Sequence, residues 1–194
     1  MILQSPQKYG NLTIRTAMKR SILKWELIGI AVISILGSAL HFAFEWSGSW
    51  PPMGVIAAVN ESVWEHLKIA FWPALFYALF EYPFFKDFTR NFVIAKATGI
   101  YVMPIAIVVL FYSYTAIIGG DILIVDILIF VVAVALGQLT SYKMLTIGRL
   151  PPWLDKLGIA MVILLAVAMG VFTFYPPQLP IFRDSLTGAY GILK

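Results

Sequence analysis

The chain has 194 residues, of which 60% are hydrophobic and only 12% charged, too few charges for the polar skin of a water-soluble domain, where about a quarter of residues carry charge. It contains no cysteine, which excludes structural disulfides and thiolate metal sites. Its net charge of +4 does not point to nucleic acid, because the basic residues lie between apolar blocks instead of collecting on one polar face.

Those blocks are continuous and long enough for helices of about 20 residues to cross ~30 Å of hydrocarbon. With no water in that layer the backbone must satisfy its own hydrogen bonds, and the alternation of a β-barrel is absent. The expected fold is all-α, a polytopic membrane bundle of about five transmembrane helices. It divides into a basic cytoplasmic or interfacial segment (1–24), the bundle (25–175) and a tail (176–194).

The first helix is expected over about 25–46; its apolar run is longer than the h-region of a signal peptide and has no clear cleavage site. After Ser47-Gly48-Ser49-Trp50-Pro51-Pro52 a second helix starts near Asn60 or Ser62 and ends near Tyr82, bent at Pro73. The third covers about 92–118, with Pro104 inside it, and stops at Gly119-Gly120-Asp121. The fourth runs over about 122–146 and the fifth over about 157–175, after Pro151-Pro152. The tail holds Pro176, Pro177 and Pro180 and cannot continue a helix, yet it is too apolar for a free disordered end. It is expected to fold back toward the loop around Trp50.

Charge sets the expected orientation. Lys8, Arg15, Lys19, Arg20 and Lys24 precede the first helix; Lys86, Arg90 and Lys96 flank the second connection, and Lys143, Arg149 and Lys156 the fourth. Only Arg183 and Lys194 fall on the opposite face, in the tail. Basic residues in short loops stay in the cytoplasm, so the protein is expected in the cell membrane with its N-terminus cytoplasmic and its C-terminus outside. Trp25, Trp46, Trp50, Trp64, Trp72 and Trp153 fall largely near the interfaces, as an aromatic belt would, and Glu81 and Lys86 are read as snorkelling side chains.

Both histidines lie near the outward ends of helices one and two. Ser34, Ser38, His41 and Glu45, spaced by four, three and four, share one helical stripe. Ionisable groups cost about 2.5–3.5 kcal/mol at the centre of a membrane helix, so that stripe is expected to face protein or a wet cavity. Helix two opens with Asn60-Glu61-Ser62-Val63-Trp64-Glu65-His66-Leu67-Lys68. Here Ser62 to Glu65 matches a capping box; Glu61, Glu65 and Lys68 share a face, and His66 points about 100° from Glu65. Capping explains Ser62 and one glutamate, and a Glu65–Lys68 ion pair would only neutralise the segment, which leaves His66, Lys68 and the second glutamate over. Two imidazoles with carboxylates suit zinc, iron or manganese, giving His41, Glu45, Glu65 and His66 as candidate metal ligands. Glu45, Glu61, Glu65 and Lys68 are candidate catalytic groups. Asp126 either joins the site or caps the fourth helix.

The stretch His41 to Gly48, the string from Asn60 to Lys68, and Pro176 to Asp184 with Thr187-Gly188-Ala189-Tyr190-Gly191 resemble an uncharacterised family of small multi-pass prokaryotic membrane proteins. That resemblance covers nearly the whole chain, supports a membrane fold and implies no reaction. The ceramidase-like membrane hydrolases place zinc among three histidines and an aspartate; this chain has two histidines, so their pattern fails unless a carboxylate replaces one ligand.

Three functions fit these residues. The first is a metal- or small-polar-ligand-binding membrane protein, a membrane hydrolase among the possibilities, with a lipid head group as one ligand. The second is a small transporter or transporter subunit in which Glu45, Glu65 and Lys68 carry charge. The third is a non-catalytic assembly partner.

Overall fold

The computed structural model describes residues 6–192, with side chains from Thr16 onward. Lys8, Arg15 and Lys194, which enter the charge count, therefore have side chains outside the described residues. Among the described residues the chain forms five helices, α1 (Pro6–Trp46), α2 (Val63–Phe85), α3 (Phe92–Ile118), α4 (Leu123–Thr146) and α5 (Trp153–Phe174), with short 3₁₀ turns at Pro51–Val55 and Pro180–Phe182. The expected helices are all present. The main difference is that α1 extends as one unbroken helix well before Trp25.

Four helices, α1 (from Thr16), α3, α4 and α5, are long and apolar enough to cross a membrane. The second expected span, α2, has 23 residues but is not among them, since its glutamates, lysine, tyrosines and prolines lower its apolarity. Leu79, Phe80 and Phe84 leave one face of α2 apolar and exposed, while Glu65, Lys68 and Glu81 turn into the bundle. α2 is thus a mostly apolar helix that carries three charged side chains into the bundle and keeps one apolar outer face. Its Pro73 sits inside a continuous helix, as neighbouring helices allow in membranes.

The core joins Ile33, Phe71, Met103, Ala133, Val134 and Met169 from all five helices. Outward positions remain apolar, as on Ile35, Ile117, Leu123 and Leu164, which matches contact with lipid chains. Without a hydrophobic drive between helices in lipid, close packing of small residues holds such bundles together. At the α3–α4 contact Gly99 faces Gly137, and a Cβ built on Gly99 would lie 2.7 Å from the Gly137 carbonyl oxygen.

Two expectations about charged residues change here. Glu81, read as snorkelling, is 1% exposed, and Lys96, read as a loop charge, is 6% exposed; both turn inward, because Lys96 binds Glu81 and Glu26 inside the bundle, while Lys86 stays exposed. Lys96 therefore drops out of the loop charges, although Lys86, Arg90, Lys143 and Arg149 still crowd the same end.

The glycine contact gives a direct check. Gly99→Val should overpack the α3–α4 contact and cost roughly 1–3 kcal/mol, read as a lower unfolding temperature in detergent. Gly148→Ala, with nothing within 4 Å of its added Cβ, should stay close to wild type.

Candidate metal centre

The site is assembled where α1 ends and α2 begins. Ser62 caps α2: its hydroxyl accepts the Glu65 N–H at 3.4 Å. The expected reciprocal bond, from the Ser62 N–H to Glu65, does not form. Asn60 Oδ1 takes the Ser62 N–H at 2.9 Å, and Glu65 Oε2 takes the Val59 N–H at 3.0 Å. Asn60 thereby ties the approach to the helix, and Glu65 is free to turn inward.

Glu65 and Lys68, one turn apart on α2, form a buried ion pair. Lys68 is completely buried; its Nζ donates to the Gly54 carbonyl at 2.6 Å and to Thr173 Oγ1 at 2.8 Å. Thr173 also lies 2.9 Å from Glu65 Oε1 and donates to it. Trp72 Nε1 donates to the Val55 carbonyl at 2.9 Å. These bonds pin the Pro51–Val55 turn and α5 to the start of α2. Every strong donor around Glu65 is engaged, so this candidate ligand lies within a closed structural cluster, away from the histidines.

His66 turns the other way and meets His41. The two Nε2 atoms are 3.2 Å apart, and Glu61 Oε2 lies 3.5 Å from His41 Nε2 and 3.4 Å from His66 Nε2. Of the groups named from sequence, the structure brings together His41, Glu61 and His66. Glu45, in the last turn of α1, stays exposed and joins no ion pair among the described residues. The reason is geometric: the first turn of α2 meets His41, and α2 has no earlier turn to cover the side chain farther along α1.

The triangle has the dimensions of a metal-binding face. Zinc with Zn–N of 2.0–2.1 Å and tetrahedral angles needs ligand atoms about 3.3 Å apart. His66 Nδ1 lies 2.8 Å from the Ser62 carbonyl oxygen, which assigns the Nδ1–H tautomer and leaves the Nε2 lone pair facing the triangle. His41 Nδ1 is buried without a hydrogen-bond partner. With neutral rings, two lone-pair acceptors, His66 Nε2 and Glu61 Oε2, converge on at most one proton, from His41. A cation would satisfy all three.

With no metal between them, the two rings donate to Glu61 only when His41 and His66 are both protonated at Nε2; in that state bonds from His41 and then His66 hold the Glu61 carboxyl well below the usual carboxylate range, against the opposing effect of burial. The tail fixes the same segment. Asp184 Oδ1 accepts the Glu61 N–H at 3.1 Å, Ser185 Oγ donates to the Glu61 carbonyl at 3.2 Å, and Asn60 Nδ2 donates to the Gly191 carbonyl at 2.8 Å. Phe182 packs against Trp64 at a tilt and edge-on against Phe172. The tail does fold back, onto Asn60, Glu61 and Trp64, and its Ile192 comes beside Gly54 in the turn that follows Trp50, while Trp50 itself remains 58% exposed.

Above the triangle lies a cavity of about 710 Å³ bounded by α1 to α4 and the tail. Its lining includes the ionisable side chains of His41, Glu61, His66, Asp126 and Arg183 and the apolar ones of Ile69, Ile107 and Phe130. Asp126 accepts a 2.5 Å hydrogen bond from Tyr114, so it shares the cavity without touching the triangle. Sequence reasoning passed over Glu26, Thr173 and Asp184. The first two are lone polar residues in apolar runs, and Asp184 sits in a tail whose contacts span more than 120 positions.

The chain belongs to a family of unknown function, DUF6512, whose model matches residues 14–192. No curated protein and no solved structure matches it.

Asp184 supplies a stability test. Burial opposes its charge, but bonds from the Thr187 hydroxyl and the Leu186, Glu61 and Thr187 amides outweigh it and hold the carboxyl below its usual range. A depressed folded value means its contribution is full above the ordinary carboxylate range and is lost as pH falls through the folded value. Asp184→Ala should cost about 1–3 kcal/mol, since it leaves amides unpaired. Limited proteolysis should then cut the tail faster than in wild type at neutral pH, and the two proteins should converge in acid.

Proposed function

We propose that this is a metal-binding membrane protein whose centre is His41, Glu61 and His66. The observation that carries this reading is the ligand triangle with edges of 3.2–3.5 Å, combined with the Ser62 carbonyl that orients His66. Two imidazoles and one carboxylate favour zinc, with iron and manganese as alternatives of the same chemical class. Three protein ligands leave one position open, the arrangement of catalytic zinc sites, in which bound water is acidified to about pKa 7. The open position would face the cavity, where Asp126 is available to handle a proton. The reading therefore extends to a membrane hydrolase acting on a polar group, a lipid head group included, with apolar lining residues such as Ile69, Ile107 and Phe130 beside it.

Glu45 and Glu65 are set aside as ligands, Glu45 because it is exposed and Glu65 because Lys68 and Thr173 saturate it. The protein purified in detergent and equilibrated with zinc should hold about one equivalent by elemental analysis. His66→Ala or Glu61→Ala should weaken binding by at least the 10–100-fold typical of lesser perturbations around a metal, while Glu45→Gln should retain it. Equal zinc content in all four proteins would overturn the assignment.

The basic residues at the opposite end support placing the metal centre on the outer face of the cell membrane. Gly120 and Gly148 lie at opposite ends of α4 with open space around them. In intact cells an impermeant thiol reagent should label Gly120→Cys and spare Gly148→Cys. The reverse pattern would move the site to the cytoplasmic side.

A further inference from the structure

The half of the bundle away from the histidines holds a second group of charges. Lys96 Nζ on α3 donates to Glu26 Oε1 of α1 at 2.7 Å and contacts Glu81 Oε2 of α2. Both carboxylates are 1% exposed. From α4, Ser141 Oγ donates to Glu26 Oε1 at 3.2 Å and Gln138 Nε2 to the Glu26 backbone carbonyl at 3.4 Å. Among the described residues, Tyr77 of α2 is the remaining titratable group facing them. Lys96 Nζ lies 5.9 Å from its ring centre, and its hydroxyl donates to the Trp25 carbonyl at 2.7 Å.

Two carboxylates share one ammonium here. If both were ionised, the cluster would bury one uncompensated negative charge among four apolar helices, where an unpaired charge is least tolerated. Donors are also short: both Lys96 and Ser141 direct their bonds to Glu26 Oε1, and Glu26 Oε2 is buried with no donor at all. Carboxylates placed this closely around one site do not both ionise. A charged Lys96 with a single carboxylate is neutral, and the second carboxyl needs a proton to be so.

We infer that Glu26, Glu81 and Lys96 form a proton-binding site, which holds one proton on the glutamate pair at neutral pH in addition to those of the ammonium. Its ligand is the proton itself, and its four helices are the ones that also bound the cavity. The folded protein keeps a proton that the unfolded chain, with both carboxyls in water, has lost. The stabilisation is therefore present at neutral pH and disappears as pH rises through the titration of the site. The inference is independent of the metal centre, which lies at the other end of α1 and α2.

Infrared spectroscopy of the protein in detergent, with and without carbon-13 labelling of glutamate, tests it. At neutral pH the expected result is one protonated carboxylic-acid carbonyl band that shifts on labelling, which separates it from the aspartates, Asp126 among them. The band should vanish at alkaline pH and be absent from both Glu26→Gln and Glu81→Gln. Wild type should show a fall in unfolding temperature at alkaline pH, and Glu81→Gln should lose it. A labelled wild type with no such band at neutral pH overturns the inference without recourse to any variant. A band that survives in both variants overturns it too, since the proton would then reside on another glutamate.

Discussion

The Lys68–Glu65 ion pair is the constraint on which the rest of the site depends. An ammonium with no exposure at all cannot stand alone among apolar helices; breaking such a pair leaves an uncompensated buried charge. Glu65 supplies the countercharge, and the Gly54 carbonyl and Thr173 hydroxyl absorb the remaining donors. Meeting those demands pulls a loop, α2 and α5 into one fixed arrangement. The rotation of α2 is then set, and with it the direction of His66, which emerges on the face turned toward α1.

The same requirement operates at the opposite end with a different stoichiometry. There one lysine faces two glutamates and bonds them across α1, α2 and α3, while α4 contributes neutral donors. α2 takes part in both clusters, which explains why it is the least lipid-like helix of the five. Its polar residues do for the bundle what apolar surface cannot do in lipid, where burial of hydrocarbon brings no gain and polar contacts between helices specify packing.

Between the ion pair and the cavity the tail acts as a brace. Asp184, Ser185 and Gly191 bond the backbone or side chains of Asn60 and Glu61, and so fix the carboxylate that completes the triangle. Glu61 belongs to no helix; its position is decided by residues more than 120 positions away. The cavity that results is lined by both ionisable groups and hydrocarbon.

Much of this was legible in the chain itself. Apolar run length and the scarcity of charge determine helices in a membrane, because backbone hydrogen bonding in lipid leaves few alternatives. Glycine and proline pairs mark the breaks, and the bounds of α3 and α4 follow within a residue. Helical spacing also separates His66 from Glu65, so only one of them was able to meet His41. Which one did, and which carboxylate joined it, was a tertiary decision. Glu45 shares a stripe with His41, but a stripe is a direction and not a depth; where α2 starts decides that Glu45 is left uncovered and Glu61 is not. Glu26 and Thr173 gave no signal of their own, since a lone polar residue in an apolar run acquires meaning only from the charge that packing sets beside it.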